Sequence, residues 1–217
     1  AAGGGLDADR TLTYTYDALT GRLTDVSLDG AAWQHFAYDA NGNRIQESNS
    51  MTGDALNPSD LEFDGRDRLL RRGATRFGYD ADGNVRWMRS AGTGASDEVT
   101  CLDYDAFGGL RGYRSGLLPT GVETNAPCSE PSFVATTDLL YVLDDRGRRV
   151  GRVDNLTGDA MSWIYRDTLN PVAQLDSAGR ITQRYVYGTR QHTSDFLIIY
   201  TWPASGAPNE TTYRLLS

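Results

Sequence analysis

The sequence predicts an all-β fold built as an array of β-hairpins, and three observations carry that expectation. Apolar and aromatic residues recur two apart, at Tyr14/Tyr16, Phe36/Tyr38, Leu61/Phe63, Phe77/Tyr79, Leu102/Tyr104, Tyr141/Leu143, Trp163/Tyr165 and Tyr185/Tyr187. That period places both members on one face of a strand, whereas a helix needs spacings of three and four. Turn signals rich in Gly, Asn and Asp follow these pairs, and the chain holds 24 glycines, which suits many tight turns. Finally, the whole unit repeats. An anchor residue followed by Asp occurs seven times, and repetition of this kind sets the architecture.

Taken in order, residues 1–10, beginning Ala1-Ala2-Gly3-Gly4-Gly5, are expected to be a flexible N-terminal segment. The repeat array runs over 11–187, and 188–217 form a tail that departs from the motif. The first copy, Tyr16-Asp17, has its Gly five residues on, at Gly21. Tyr38-Asp39 with Gly42 is the type copy: Phe36 and Tyr38 lead in, and Ile45 returns the chain to an apolar position. Phe63-Asp64 has Asp67 where Gly is expected. Tyr79-Asp80 with Gly83, Tyr104-Asp105 with Gly108, Leu143-Asp144 with Gly147 and Leu175-Asp176 with Gly179 keep the spacing of the type copy. A degenerate copy is expected at Tyr165-Arg166.

Each copy reads as strand, tight turn, strand. Asn41-Gly42 and Asp82-Gly83 are signals for a type I′ turn, which needs positive φ at both central positions. The repeated Asp is placed to accept hydrogen bonds from turn N–H groups. One hairpin is marginal in water, but neighbours stacked edge to edge bury each other's apolar face. Three segments interrupt the rhythm: Ser48–Asp60, Ser90–Glu98 and the Pro-rich Ser115–Thr137. Leu117, Leu118, Phe133 and Val134 suggest that the third packs back on the sheet.

The formal net charge is −8 and every one of the 21 basic residues is Arg. An acidic surface repels a phosphate backbone, which argues against a nucleic-acid partner. Arg68, Arg71, Arg72 and Arg76 cluster, either as a ligand patch or as strand-face residues paired with nearby Asp. No apolar run approaches the roughly 18 residues of a membrane span; Phe196–Tyr200 holds only five. Cys101 precedes the third interruption and Cys128 lies within it. They form a disulfide pinning that loop if the chain is exported, and are two buried thiols otherwise.

Catalytic patterns are absent from the sequence. There is no Gly-x-Ser-x-Gly elbow and no His-Glu-x-x-His segment, and His35 and His192 are the only histidines. Asp39–Asn43 and Asp80–Asn84 resemble calcium loops, but the position of the bidentate Glu is Ser50 in one and Ala91 in the other. The hairpin reading explains both without a metal, and no cofactor is called for. Trp33, Trp87, Trp163 and Trp202 are candidates for stacking on sugar rings or for core packing.

On the Tyr-Asp-x-x-Gly motif, extended by Gly42-Asn43-Arg44-Ile45 and Gly179-Arg180-Ile181, residues 11–190 resemble the RHS/YD-repeat family. That resemblance implies a β-sheet ribbon that spirals into a hollow shell. Family members include polymorphic toxins, insecticidal toxin complexes and teneurins. Tyr185–Arg190 and Thr212–Ser217 are similar to the stretch leading into the core segment of toxin-bearing members, and no Asp-Pro-x-Gly cleavage motif is present. The resemblance therefore implies a non-enzymatic piece of a secreted or cell-surface shell. Its partners would be further YD repeats and an enclosed polypeptide such as a toxin. A surface adhesion or carbohydrate-binding module is the alternative, and a hydrolase a third reading.

Overall fold

The computed structural model describes residues 10–92, 94–187, 196–203, 207 and 209–212. Residues 1–9, the stretch 188–190, His192 and the final 213–217 lie outside the described residues. Regular structure is antiparallel β, with two short 3-10 turns at Pro58–Asp60 and Pro127–Ser129 and no α-helix among the described residues. No helix there is long and apolar enough to cross a membrane.

The chain divides into two compact units, Ala1–Phe77 and Gly78–Ser217. In the first, β1 (Leu12–Tyr16), β2 (Leu23–Leu28), β3 (Ala31–Tyr38), β4 (Arg44–Asn49) and β5 (Ala55–Leu56) form a five-stranded sheet in chain order. A second run follows, β6 (Leu61–Phe63), β7 (Leu69–Arg72) and β8 (Thr75–Tyr79), each paired with the next. The division between the units falls within β8.

The second unit continues as a meander. Its strands are β9 (Val85–Ser90), β10 (Ser96–Tyr104), β11 (Leu110–Pro119), β12 (Val134–Leu143), β13 (Arg149–Asp154), β14 (Ala160–Tyr165), β15 (Pro171–Asp176), β16 (Ile181–Tyr187), β17 (Phe196–Thr201) and β18 (Asn209–Thr212). From β10 onward, each pairs antiparallel with the one before it. Both ends of the third interruption are strand: Ser115 pairs with Thr137, and Leu117 with Val134.

Every Tyr, Phe or Leu anchor whose pairing is defined sits beside a register shift. Ala37 pairs with Gln46 but Tyr38 with Arg44, leaving Ile45 as an extra residue. The same shift leaves Thr24 opposite Tyr16, Val150 opposite Leu143 and Val172 opposite Tyr165. One extra residue bends the strand and raises its local right-handed twist. The anchor is thus the last strand residue before the turn, re-aimed by the bulge.

The turn expected at Asn41-Gly42 and Asp82-Gly83 takes a different form. Only the Gly of each pair has positive φ, 101° at Gly42 and 92° at Gly83. Asp39 N–H donates to the Asn43 carbonyl (3.0 Å) and Gly42 N–H to the Asp39 carbonyl (3.2 Å). That is a three-residue loop, a type I turn closed by one left-handed residue. Asp67 fills this left-handed position at φ 59°, in place of the Gly of other copies. The turn with positive φ at both positions is Asp29-Gly30 (51° and 81°), between paired Leu28 and Ala31.

Burial is thin. Among the described residues the buried apolar ones are Val26, Val99, Cys101, Leu118, Tyr141 and Ala173. Three of them, Val99, Cys101 and Leu118, cluster where β10 and β11 meet, and Val122, Cys128 and Phe133 of the following loop close over them. Strand approach there is close. A Cβ on Gly116 would lie 2.1 Å from the Val134 carbonyl oxygen and 2.8 Å from the Ala135 Cα. Both are backbone atoms and cannot swing aside. Gly116→Ala is expected to destabilise the second unit by about 1–3 kcal/mol in urea unfolding.

Candidate functional site: Asp-capped turns and the braced loop

Each repeat turn is organised by its Asp. In the copies starting at Asp64, Asp80, Asp105, Asp144 and Asp176, Oδ1 accepts from the backbone N–H two residues on and four residues on, at 2.8–3.0 Å. Asp39 accepts instead from Gly42 and Asn43, both at 2.8 Å. The second carboxylate oxygen takes the side chain after the left-handed residue. The donors are Arg68 Nε (2.7 Å), Arg148 Nε (2.7 Å), Arg180 Nε (2.8 Å), Asn43 Nδ2 (3.0 Å) and Asn84 Nδ2 (3.0 Å). Position 109 is Gly, and a Cβ there would meet Leu143 Cδ1 at 2.6 Å and the Asp105 carboxylate at 2.9 Å. These bonds hold the turn that lets two strands pair.

Leu175-Asp176 stands apart in the meander. Its turn joins β15 to β16, at the opposite end of the sheet from the Asp105 and Asp144 turns. The end shared with those two is occupied by the copy at Tyr165. There Arg166 N–H donates to the Asn170 carbonyl (2.9 Å), and Asp167 has taken over the capping role. Its Oδ1 accepts from Leu169 and Asn170 N–H, and its Oδ2 from Asn170 Nδ2.

Three turns form a second, longer class. Asp17–Arg22, Asn49–Asp54 and Asp154–Asp159 each close with a Gly N–H reaching back four residues, from Gly21, Gly53 and Gly158. Their sequences share Asp or Asn, any residue, Leu or Met, then Thr-Gly. The first side chain accepts from the next two but one N–H groups, as Asp154 Oδ1 does from Leu156 (2.9 Å) and Thr157 (3.3 Å). The Leu or Met is pushed outward: Leu19, Met51 and Leu156 are exposed. Sequence reasoning found only the first of these, through Tyr16-Asp17, though the Thr-Gly pair was the available signal.

Turns are also tied to one another. Arg22 Nη1 donates to the Asp39 carbonyl (2.9 Å) and its guanidinium lies 5.7 Å from the Tyr38 ring centroid. Arg148 repeats this, with the Asp167 carbonyl at 2.9 Å and the Tyr165 ring at 5.0 Å. Within the first unit, Asn41 and Asn43 both donate to Asp67 Oδ1 at 2.8 Å. The anchor ring therefore receives a cation from the preceding turn, a favourable face contact.

These bonds depress several of the capping acids. The Arg68 side chain, then its N–H, holds Asp64 down to about 2, against an ordinary 3.8. Hydrogen bonds from Asn43 lower Asp39, those from Asn84 lower Asp80, and those from Asn170 and Leu169 lower Asp167. A carboxyl with a depressed folded pKa stabilises above its unfolded value, and that contribution fades as pH falls through the folded value. For Asp64 the window runs from about pH 4 down to about pH 2. Acid unfolding of Asp64→Asn is expected to be shallower in that window, by the Asp64 share only, since the other depressed acids still titrate there; circular dichroism against pH checks this. Elsewhere, burial pushes the Tyr187 hydroxyl up to about 12 as it donates to the Pro171 carbonyl.

The loop between β11 and β12 is braced by a Cys101–Cys128 disulfide. Trp87 Nε1 donates to the Asn125 carbonyl (3.2 Å), and Arg89 Nη1 to the Val122 carbonyl (2.6 Å) while its Nε bonds Asp97 (2.8 Å). Leu118 and Phe133 pack under the loop, whereas Leu117 and Val134 are exposed.

Trp33 Nε1 bonds Asn49 Oδ1 (3.1 Å), and Tyr200 and Trp202 lie 6.3 Å apart. Trp163 lines an open cavity of about 390 Å3 with Tyr165, Leu143 and Arg149. In the basic cluster, Arg68 pairs with Asp64, Arg71 with Glu62 and Arg72 with Glu47. Pairing across β2, β3 and β4 sets Asp25, His35 and Ser48 side by side. Asp25 Oδ1 holds His35 Nδ1 at 2.8 Å, but no hydrogen bond joins Ser48 to His35.

Comparison with known proteins places this geometry. The chain is 28% identical over 191 residues to Teneurin-1 of Mus musculus, and equally so to those of Gallus gallus and Homo sapiens; the match covers 88% of this chain. The chain spans only 6% of the length of those relatives. Its fold is similar to a TcdB2-TccC3-TEV crystal structure, with a TM-score of 0.54, 14% identity, 94% of this chain and 12% of the other covered. The Photorhabdus luminescens Tc holotoxin pore gives 0.51 and 15%, over 94% of this chain and 11% of the other. The Teneurin YD-shell family matches residues 6–118, more than half the sequence. On that match and on the repeated Asp-capped hairpins, the chain belongs to the Teneurin YD-shell family.

Proposed function

We propose that this chain is a non-enzymatic stretch of shell wall that encloses or presents another polypeptide, as part of a secreted or cell-surface protein. The observation that carries this reading is the continuity of hydrogen bonding with so little core. Strands pair in chain order within each unit, and turns are latched to neighbouring turns, yet few side chains are fully buried. Such a structure has little interior of its own and suits a wall around something else. The disulfide fits an oxidising compartment. Edge strand β1 is exposed along its whole length, as Leu12, Tyr14 and Tyr16 illustrate. Its second edge pairs with no other described strand, which suits a further YD repeat as partner.

The test is protease protection in the full-length protein that carries this chain. An enclosed segment survives digestion while the wall is intact, and is cut after the turns are opened by Asp144→Ala together with Asp39→Ala. Equal cleavage before and after opening would remove enclosure. A second reading, saccharide binding, is favoured by the aromatic cavity at Trp163 and Tyr165. Glycan-array binding lost in Trp163→Ala would support it.

A further inference from the structure

We infer that the cavity on the β3–β5 side of the first unit binds the carboxylate of an apolar amino acid, either free or as the last residue of a peptide. This stands apart from the wall function and does not depend on it. The cavity measures about 750 Å3. Two guanidinium groups on it converge on one acid: Arg44 Nη2 lies 3.0 Å from Glu47 Oε2, and Arg72 Nη2 donates to Glu47 Oε1. The Glu47 side chain is only 18% exposed, against 48% for Arg44 and 51% for Arg72. The acid thus sits beneath two cations whose outer edges face solvent.

Glu47 and Asp54 together balance Arg44 and Arg72 over the cavity lining, but where the two guanidiniums meet Glu47 the local excess is one positive charge, and each guanidinium keeps donors beyond the one spent on Glu47. Two forks already spaced by one carboxylate are set to take a second on their outer edges, the pairing for which Arg geometry is suited. The cavity also has an apolar part. Arg44 lies 5.4 Å from the Phe36 ring centroid, and Phe36 and Leu56 both line the space. An anion alone would leave that surface unused, so the ligand carries an apolar group next to its carboxylate. Asp54 lines the same cavity and supplies a counter-charge for the ammonium of a free amino acid.

Calorimetric titration of the folded chain with three probes tests this: leucine, N-acetyl-leucine and N-acetyl-leucinamide. Both acids bind, and the amide, which lacks the carboxylate, binds about tenfold more weakly or worse. Arg72→Ala weakens N-acetyl-leucine by a similar factor. Glu47→Gln removes the competing acid and tightens N-acetyl-leucine, a gain that damage to the fold cannot produce. Leucine binding more tightly than its acetyl form, with the difference lost in Asp54→Asn, assigns the free amino acid. The reverse order assigns a peptide terminus. Equal affinity for acid and amide, no binding at millimolar concentrations, or weakening by Glu47→Gln overturns the inference.

Discussion

Cys128→Ser, or reduction of the Cys101–Cys128 bridge, is expected to lower the stability of the second unit by about 3.5 kcal/mol. The bridge spans 27 residues of sequence, and freeing a loop of that length returns roughly this much conformational entropy to the unfolded chain. Cys101 is 2% exposed and belongs to the small core under the loop, so packing is lost as well. The loop's other ties include Thr120 to Ala95 (2.9 Å), Trp87 to Asn125, Arg89 to Val122 and a long Arg114 contact to the Cys128 carbonyl (3.4 Å). Urea unfolding with and without reductant measures the difference, and Trp87 emission reports whether the loop lifts first. Coincident transitions would show that the bridge adds nothing.

Leu118→Ala is expected to cost about 2–5 kcal/mol. Leu118 is 0% exposed and forms the floor of the cluster with Val99 and Cys101. In a protein with a large core the surroundings could relax into the space. Here the fixed strand pairing below and the braced loop above limit that collapse. Because Leu118 and the bridge share neighbours, the double variant is expected to lose less than the sum of the two. Equilibrium unfolding of both single variants and the double closes the cycle. Leu117→Ala, one residue away on the exposed face, serves as the control and should change stability little.

Much of the fold was legible because strand period and turn chemistry are local. Phe36/Tyr38 and Trp163/Tyr165 announce their strands, and the Asp after Tyr38 announces its turn. The turn class was not legible, because Asn-Gly is common to several hairpins. The Asp39 carboxylate decides here, by bonding the turn N–H groups and leaving positive φ to Gly42 alone. The bulges were hidden for a related reason. Ile45 and Val150 read as ordinary strand residues, and only cross-strand register shows them to be the extra ones.

Function was less legible. The Arg44–Glu47–Arg72 group joins β4 to β7, and nothing local in the sequence brings residues 47 and 72 together. Asp25, His35 and Ser48 likewise align only once three strands are in register. The cysteines could be read as a bridge or as thiols, because spacing alone does not say whether two Cα atoms approach. The sequence did carry the Thr-Gly turns at Asn49 and Asp154, but a search built on Tyr-Asp passes over them.

Amide hydrogen exchange tests most directly whether Asp-capped hairpins, latched in chain order, hold this chain together. The N–H groups of Asp39, Asp80, Asp105, Asp144 and Asp176 donate across the base of their turns to Asn43, Asn84, Gly109, Arg148 and Arg180. They should exchange slowly, with the adjoining strands, and each should lose protection when its own Asp is changed to Ala. Fast exchange at these amides in the unmodified protein, with protection instead in helical i to i+4 runs, would contradict the account.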